Sequence, residues 1–184
     1  MKIYNYLFLA LIMTVCFSCD DDDETVIMDS SELVGVWEAQ SFDFSLESTT
    51  EFSGMTFSTL ASGEGTSIDY VLTLTENEFM TSGEYTYDVN VVTNGQSAES
   101  SISLTDVSGD GTYTTLDDVI TTNGAFFEFE FEGQDLSDLQ GETSATFSLN
   151  GNTLTFTQNE TISTEDQGVI TTSVVQSTST WTRQ

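Results

Sequence analysis

An acidic segment in the middle of the chain has side chains spaced as a calcium site would need them. Asp106, Ser108 and Asp110 supply oxygen atoms at positions one, three and five of a span of twelve residues, and Asp117 closes the span. Gly111 stands at position six, where a loop wrapped around an ion turns sharply. Hard cations prefer oxygen ligands, so calcium is the one cofactor that the sequence suggests.

This span resembles the calcium loops of EF-hand and dockerin proteins, and the resemblance implies the four oxygen-bearing side chains as ligands. Those loops lie between helices and usually end in a glutamate that binds the ion with both oxygens. Here strand-like sequence flanks the span, and its last position is Asp117. A plain Gly-Asp-Gly hairpin turn explains the same residues, and both interpretations stay open at this point.

Side chains that carry catalysis are scarce. The chain has no histidine and two cysteines, Cys16 and Cys19, both near the N-terminus. Ser-His-Asp and Cys-His mechanisms and histidine-held zinc therefore lack their residues in the rest of the chain. Pairs of carboxylates cleave glycosides in other proteins, but acids occur throughout this chain and none stands apart. We expect a protein that is not an enzyme.

The N-terminus has the pattern of an export signal. Lys2 is followed by an apolar run, residues 7–15, that is too short to span a membrane, which takes about 20 residues. Signal peptidases cut after a small residue, and Ser18 precedes Cys19 whereas Val15 precedes Cys16. Cys19 is therefore the predicted new N-terminus.

Phe17-Ser18-Cys19 resembles the end of the lipobox of bacterial lipoproteins, which implies a lipid on Cys19 and a membrane as partner. The acidic run 20–24 reads as a hydrated spacer, and it resembles the surface-export signals of Bacteroidota-type lipoproteins. The predicted organisation is a signal peptide over 1–18, an acidic disordered tether over 19–30 and one folded domain over 31–184. The expected location is the outer membrane, with the domain exposed at the cell surface.

Charge excludes one class of partner. The chain has 31 acidic and two basic residues, and one of the two, Lys2, lies in the leader. Nucleic-acid affinity comes from Lys and Arg that neutralise phosphates, so no nucleic acid is expected to bind. Strong net charge also favours solubility over association, and we expect a monomer.

The folded part reads as an all-β domain, an antiparallel up-and-down β-barrel of about eight to ten strands preceded by a short helical turn. Short alternating segments separated by turn signals such as Asn94-Gly95 indicate sequential hairpins, and the chain has no proline to interrupt them. A change of alternation near Ser41 predicts a bulge in the first strand.

Residues 48–66 are polar and Gly-rich and predict a long loop, or lid. Residues 127–131 predict a strand with one aromatic and one acidic face, and residues 135–140 a helical turn.

Gly35-Val36-Trp37 and Arg183 carry a resemblance to the lipocalin-like domains of bacterial lipoproteins. The stretch Gly151 to Phe156 is similar to members of this group too. The resemblance implies that the first and last strands pair, that Arg183 packs on Trp37 at the narrow end of the barrel, and that the barrel carries a small apolar molecule. A cation–π contact of this kind contributes about 0.5–2 kcal/mol.

Two functions remain open from the sequence. In the first, the barrel interior binds a small hydrophobic molecule, and the predicted lining residues are Tyr70, Leu72, Tyr85, Tyr87, Phe127, Phe129 and Phe147. The alternative for these residues is that they simply fill the core. In the second function, the domain is an exposed structural, adhesion or interaction module that displays its loops to glycan or protein.

Overall fold

The computed structural model describes residues 30–129, 142–166 and 168–184. The predicted signal peptide, Cys19, nearly all of the acidic tether and the predicted helical turn over 135–140 lie outside the described residues. The described chain begins with a 3-10 turn, Ser30–Glu32, which is the short helical turn predicted before the barrel. Its remaining regular structure is entirely β.

Eight antiparallel strands form a closed barrel in which each strand pairs with its sequence neighbour and the last pairs with the first. The prediction of an up-and-down β-barrel is confirmed. The strands are β1 (Gly35–Phe52), β2 (Met55–Leu74), β3 (Glu78–Thr93), β4 (Gln96–Leu116), β5 (Val119–Asn123), β6 (Glu142–Asn150), β7 (Thr153–Asp166) and β8 (Val169–Arg183).

Turn chemistry fixes the hairpins. Asn94 and Gly95 connect β3 to β4 with positive φ angles of 51° and 81°, the conformation that a two-residue hairpin turn requires. The β6–β7 hairpin also closes with two residues between the pair Asn150 and Thr153, but of these two only Gly151 has a positive φ. The predicted bulge in β1 is confirmed, because the register with β8 shifts between Ala39 and Ser41.

The strands differ greatly in length, and this shapes the barrel. β5 has 5 residues and β6 has 9, whereas β1, β2, β3 and β4 have 16 or more. β4 pairs with β5 only over residues 112–116, and β7 pairs with β6 only over residues 153–157. The upper part of the wall therefore consists of six long strands, and no described strand joins β4 to β7 there.

Two sequence-based expectations are wrong. Residues 48–66 are not a lid, because they form the upper part of the β1–β2 hairpin, paired from Phe52 and Met55 downwards. Residues 51–58 at its tip are exposed on both alternate faces, so no apolar alternation marks this part of the hairpin. Of the strand predicted over 127–131, residues 130–131 lie outside the described residues, and residues 127–129 are not in a strand. Their aromatic rings instead enter the barrel.

Candidate functional site

The closed end of the barrel is sealed by Trp37 and Arg183. The two residues are register partners in the β1–β8 pair, and the guanidinium carbon lies 4.4 Å from the centroid of the indole ring. Trp37 is fully buried, and its Nε1 donates a hydrogen bond of 2.8 Å to the carbonyl of Leu33. Arg183 donates to the carbonyl oxygens of Val34 and Glu32. The expected contact between the two ends of the chain is therefore present.

Both the backbone angle and the space around residue 35 favour glycine there. Its φ of +153° is rarely adopted by other residues, and a Cβ atom there would lie 3.1 Å from Arg183 Nη1. With a side chain at this position, the guanidinium would have to shift by a few tenths of an ångström. The three residues of the predicted closure, Gly35, Trp37 and Arg183, thus form one contact group.

The interior above this closure is occupied by residues 125–129, which we call the plug segment. Phe127 is buried and its ring centroid lies 4.5 Å from that of Phe42 and 5.2 Å from that of Trp181. Phe129 lies 4.4 Å from Phe44. Aromatic pairs at these separations add about 0.5–1.5 kcal/mol each to the burial of their area. The plug segment therefore fills part of the interior with rings that pack on Phe42, Phe44 and Trp181.

Tyr85 anchors the backbone of the plug segment. Its hydroxyl donates a hydrogen bond of 2.6 Å to the Glu128 carbonyl and accepts one of 2.8 Å from the Glu128 amide. Both backbone polar groups of Glu128 are thereby hydrogen-bonded to one side chain, where leaving them unpaired would cost about 1–3 kcal/mol each. A single phenol thus holds an irregular segment in place.

A cavity of about 160 Å³ lies between the plug segment and the wall. Its apolar lining comes from opposite sides: Phe127 and Phe129 from the plug segment, and Leu46, Val175 and Ile162 from the wall strands. Cavities that hold drug-sized ligands measure about 300–1,000 Å³. This one suits a smaller molecule, since an engineered apolar cavity of about 150 Å³ binds benzene.

One edge of the cavity is polar. Gln158 and Glu160 of β7 and Ser177 of β8 border it. Ser177 Oγ donates to Gln158 Oε1 at 3.3 Å, and Gln158 Nε2 donates to Glu160 Oε2 at 3.2 Å. This chain of hydrogen bonds orients the Glu160 carboxylate beside a mostly apolar space.

The predicted ligand-lining residues fall into two groups. Phe127 and Phe129 border the cavity. The others do not border it. They are buried in the core, which is the alternative given for them in the sequence analysis: Tyr70, Leu72, Tyr85, Tyr87 and Phe147. Burial raises the pKa of Tyr70 to about 12 and raises that of Tyr85 further, because a phenolate has no water to solvate it there.

The predicted calcium residues are not brought together as a loop. Asp106, Ser108 and Asp110 lie along β4, where Ser108 pairs with Ser82 and Asp110 with Met80. Asp117 lies beyond the end of β4, in the turn to β5. The calcium loop and the Gly-Asp-Gly hairpin turn are therefore both wrong as backbone shapes. Within the described part of the chain, no group of three or more acidic, cysteine or histidine side chains is placed to hold a metal ion.

Sequence reasoning missed the polar edge of the cavity. A signal for it exists, because Leu154 and Phe156 set the inward alternation of β7, and continuing that alternation places Gln158 and Glu160 on the inner face. An acidic residue on the apolar parity of a strand is uncommon. Glu160 therefore occupies a position where an acidic side chain does not favour folding.

Comparisons with known proteins add little to this geometry. No protein-family model matches the chain, and no curated protein matches it. Among solved structures, the chain is similar to the crystal structure of Ail, the attachment invasion locus protein of Yersinia pestis, at 7% sequence identity and a TM-score of 0.23. The match covers 80% of this chain and 99% of Ail. A TM-score this low carries no inference about fold or function. In the described residues, no helix is long and apolar enough to cross a membrane.

Proposed function

We propose that this protein is an exported, lipid-anchored and non-catalytic member of the lipocalin-like group, which binds a small apolar molecule inside its barrel. The observation that carries the proposal is the cavity of about 160 Å³ between the plug segment and the wall. The aromatic rings of the core pack closely on the residues that line it, with the centroids of Phe42 and Phe127 4.5 Å apart. A small apolar molecule that fills this space would gain packing contacts with its lining, because unfilled space beside a side chain forfeits packing energy.

The Trp37–Arg183 contact supports the resemblance to lipocalin-like domains. It joins the first and last strands at the narrow end, where the resemblance implies that it should lie. The function proposed from that resemblance is carriage of a ligand in the barrel. The size of the cavity limits the ligand to roughly the bulk of a substituted benzene ring.

The outer face of the barrel supports anchoring by lipid rather than insertion of the barrel itself. The exposed face of β3 carries three carboxylates, those of Glu78, Glu84 and Asp88. A membrane-spanning barrel needs an outward apolar band about 25 Å tall, and carboxylates on that face oppose it. Lipidation of Cys19 is proposed as the membrane attachment, with the domain on the cell surface. Metabolic labelling with a fatty-acid analogue tests it, since Cys19→Ala should abolish the label.

Binding is tested with the chain from residue 20 onwards, produced without lipid. We expect native mass spectrometry to detect a co-purifying small molecule, and calorimetry to detect binding of benzyl alcohol to the emptied protein. Ala145 borders the cavity, so Ala145→Leu should fill part of it and weaken binding. Ala98 is exposed on β4, and Ala98→Leu is the matched control that should leave binding unchanged. Absence of any bound or added ligand in the wild type would contradict the proposal.

A second candidate function is an exposed interaction module, and one observation favours it. Phe52, Met55 and Phe57 are 47%, 54% and 47% exposed at the tip of the β1–β2 hairpin. Phe52 pairs with Met55, and Phe57 follows two residues later, so the three share one face. The tip lies at the end of β1 opposite to the N-terminal turn. A glycan array would support display if binding were detected and were lost when all three residues are changed to serine.

A further inference from the structure

Glu160 differs from the other acidic side chains that the structure describes. It is half-buried and borders the cavity, whereas every other aspartate and glutamate whose side chain is described is exposed. It shares its inward alternation with Phe156 and Ile162 on β7. Asp43 also borders the cavity, but its side chain lies on the exposed alternate face of β1. Glu160 is therefore the carboxylate that the described barrel turns towards its interior.

The charge of Glu160 has no basic partner in the described chain. The hydrogen bond that it accepts comes from the Gln158 amide, which is neutral. Arg183 is the single basic residue after the leader, and its guanidinium binds the Val34 carbonyl at the closed end. Burying a carboxylate beside apolar groups is unfavourable unless a cation or several hydrogen bonds compensate it. A ligand that brings a positive charge would supply that compensation.

Aromatic rings border the same cavity. Phe42, Phe44, Phe127 and Phe129 all line it, and the Phe44 and Phe129 rings lie 4.4 Å apart. The faces of such rings attract cations, and the attraction is larger where water is excluded. Rings together with one carboxylate are the chemistry that recognises an organic ammonium group. The net charge of −29 would also raise the local concentration of cations.

We propose that the cavity binds a small primary ammonium ion with an apolar body, with the ammonium group at Glu160 and the body among the phenylalanine rings. The inference rests on the proposed function, since it names the class of ligand for the same cavity. Gln158 and Ser177 are positioning residues that orient the carboxylate. The volume of about 160 Å³ limits the ligand to one ring or a short chain.

Benzylamine and benzyl alcohol separate the two proposals, because they have nearly the same shape and differ in charge at neutral pH. Calorimetric titrations would use the chain from residue 20 at about 0.15 M salt, where general attraction by distant charges is screened. We expect benzylamine to bind about tenfold or more tightly than benzyl alcohol, as expected for a hydrogen bond between charged groups. Glu160→Gln should remove this preference while benzyl alcohol still binds. Glu165→Gln removes an exposed charge from the same strand and should keep the preference.

Each result decides between the proposals. Equal affinity for the two compounds in the wild type would overturn the ammonium inference and leave the cavity as a binding site for neutral molecules. A preference that persists in Glu160→Gln would also overturn it, because the preference would then come from the overall negative charge. Failure of both compounds to bind would overturn the proposed function together with the inference. Thermal unfolding of Glu160→Gln is the folding control, and removal of a half-buried charge should leave its stability unchanged or higher.

Discussion

The two ends of the barrel are built from different side chains. At the closed end, Leu33, Trp37 and Trp181 are completely buried, and the polar atoms of both indoles are hydrogen-bonded. At the open end, several inward positions of the long strands carry hydroxyls, such as the Thr50 and Thr171 pair at 3.2 Å, and the apolar side chains there, such as Phe57, are exposed. Packed rings give a rigid end, whereas short hydroxyl side chains bury little area. Stability is therefore concentrated at the closed end, and the half above it is available for binding.

The sharpest test of this contrast removes one large ring from each end. Trp37→Ala should lower the free energy of unfolding by about 3–5 kcal/mol, because it leaves a cavity in the closed end and takes away the partner of Arg183. Phe57→Ala, at the exposed hairpin tip, should change it by less than about 0.5 kcal/mol. Urea denaturation measures both. Similar losses for the two variants would contradict the contrast.

Glycines at the two ends should differ in the same direction. A Cβ atom on Gly83 would lie 2.1 Å from the Asp69 carbonyl oxygen, and the residue has a φ of +137°. Gly83→Ala should therefore cost about 2–4 kcal/mol, since backbone of the neighbouring strand must move. Gly54, in the β1–β2 turn, has no atom within 4 Å of the same position. Gly54→Ala should cost about 1 kcal/mol, from its positive φ alone. Chemical denaturation of the pair gives the comparison.

Alkaline pH should weaken the packed interior. Tyr70 keeps its proton to a pKa of about 12 in the folded protein because it is buried, whereas an unfolded tyrosine loses it near pH 10. Between these values the unfolded state binds fewer protons, so stability falls as pH rises. The free energy of unfolding should fall by about 1 kcal/mol for each pH unit above 10 over which Tyr70 remains protonated in the folded protein. Tyr70→Phe should reduce the slope above pH 10, and an unchanged slope would show that this phenol is not responsible.

Removal of the guanidinium should have the smallest of these effects at the closed end. Arg183→Gln loses the contact with the Trp37 ring and weakens the hydrogen bonds to the Val34 and Glu32 carbonyls, for a cost of about 1–2 kcal/mol. Arg183→Lys keeps the charge but not the planar fork, and its cost should be intermediate. Thermal unfolding at two salt concentrations measures both. If Arg183→Gln were as unstable as Trp37→Ala, the Arg183 guanidinium rather than the Trp37 indole would be the main source of stability at the closed end.

The closed end was predictable because its signals are local and chemically specific. Gly35-Val36-Trp37 is a short pattern in which each residue has one role, and Arg183 is the sole basic residue in the folded part. The hairpins followed from turn residues such as Asn94-Gly95, whose positive φ angles leave few alternatives. The β1 bulge followed from the change of alternation near Ser41.

The open half was not predictable by the same reasoning. Strands with water on both faces lose their apolar alternation, so residues 48–66 resembled a loop. Phe127 and Phe129 alternate with glutamates as a strand would, but alternation reports only which side chains are apolar and not whether the backbone has a pairing partner. The alternation of β7 marks Glu160 as an inward acidic residue, but the cavity that it borders is seen only when the surrounding strands are placed. The position of these strands depends on β5 and β6 being shorter than β4 and β7.

A crystal structure of the chain from residue 20 with benzyl alcohol would test the central claim most directly. The claim is that a space inside the barrel, between the plug segment and the wall, holds a small apolar molecule. We expect electron density for the ring between Phe127 and Val175, with Tyr85 still bonded to Glu128. Phenylalanine side chains collapsed into that space, with the compound absent or bound only at the surface, would contradict the account.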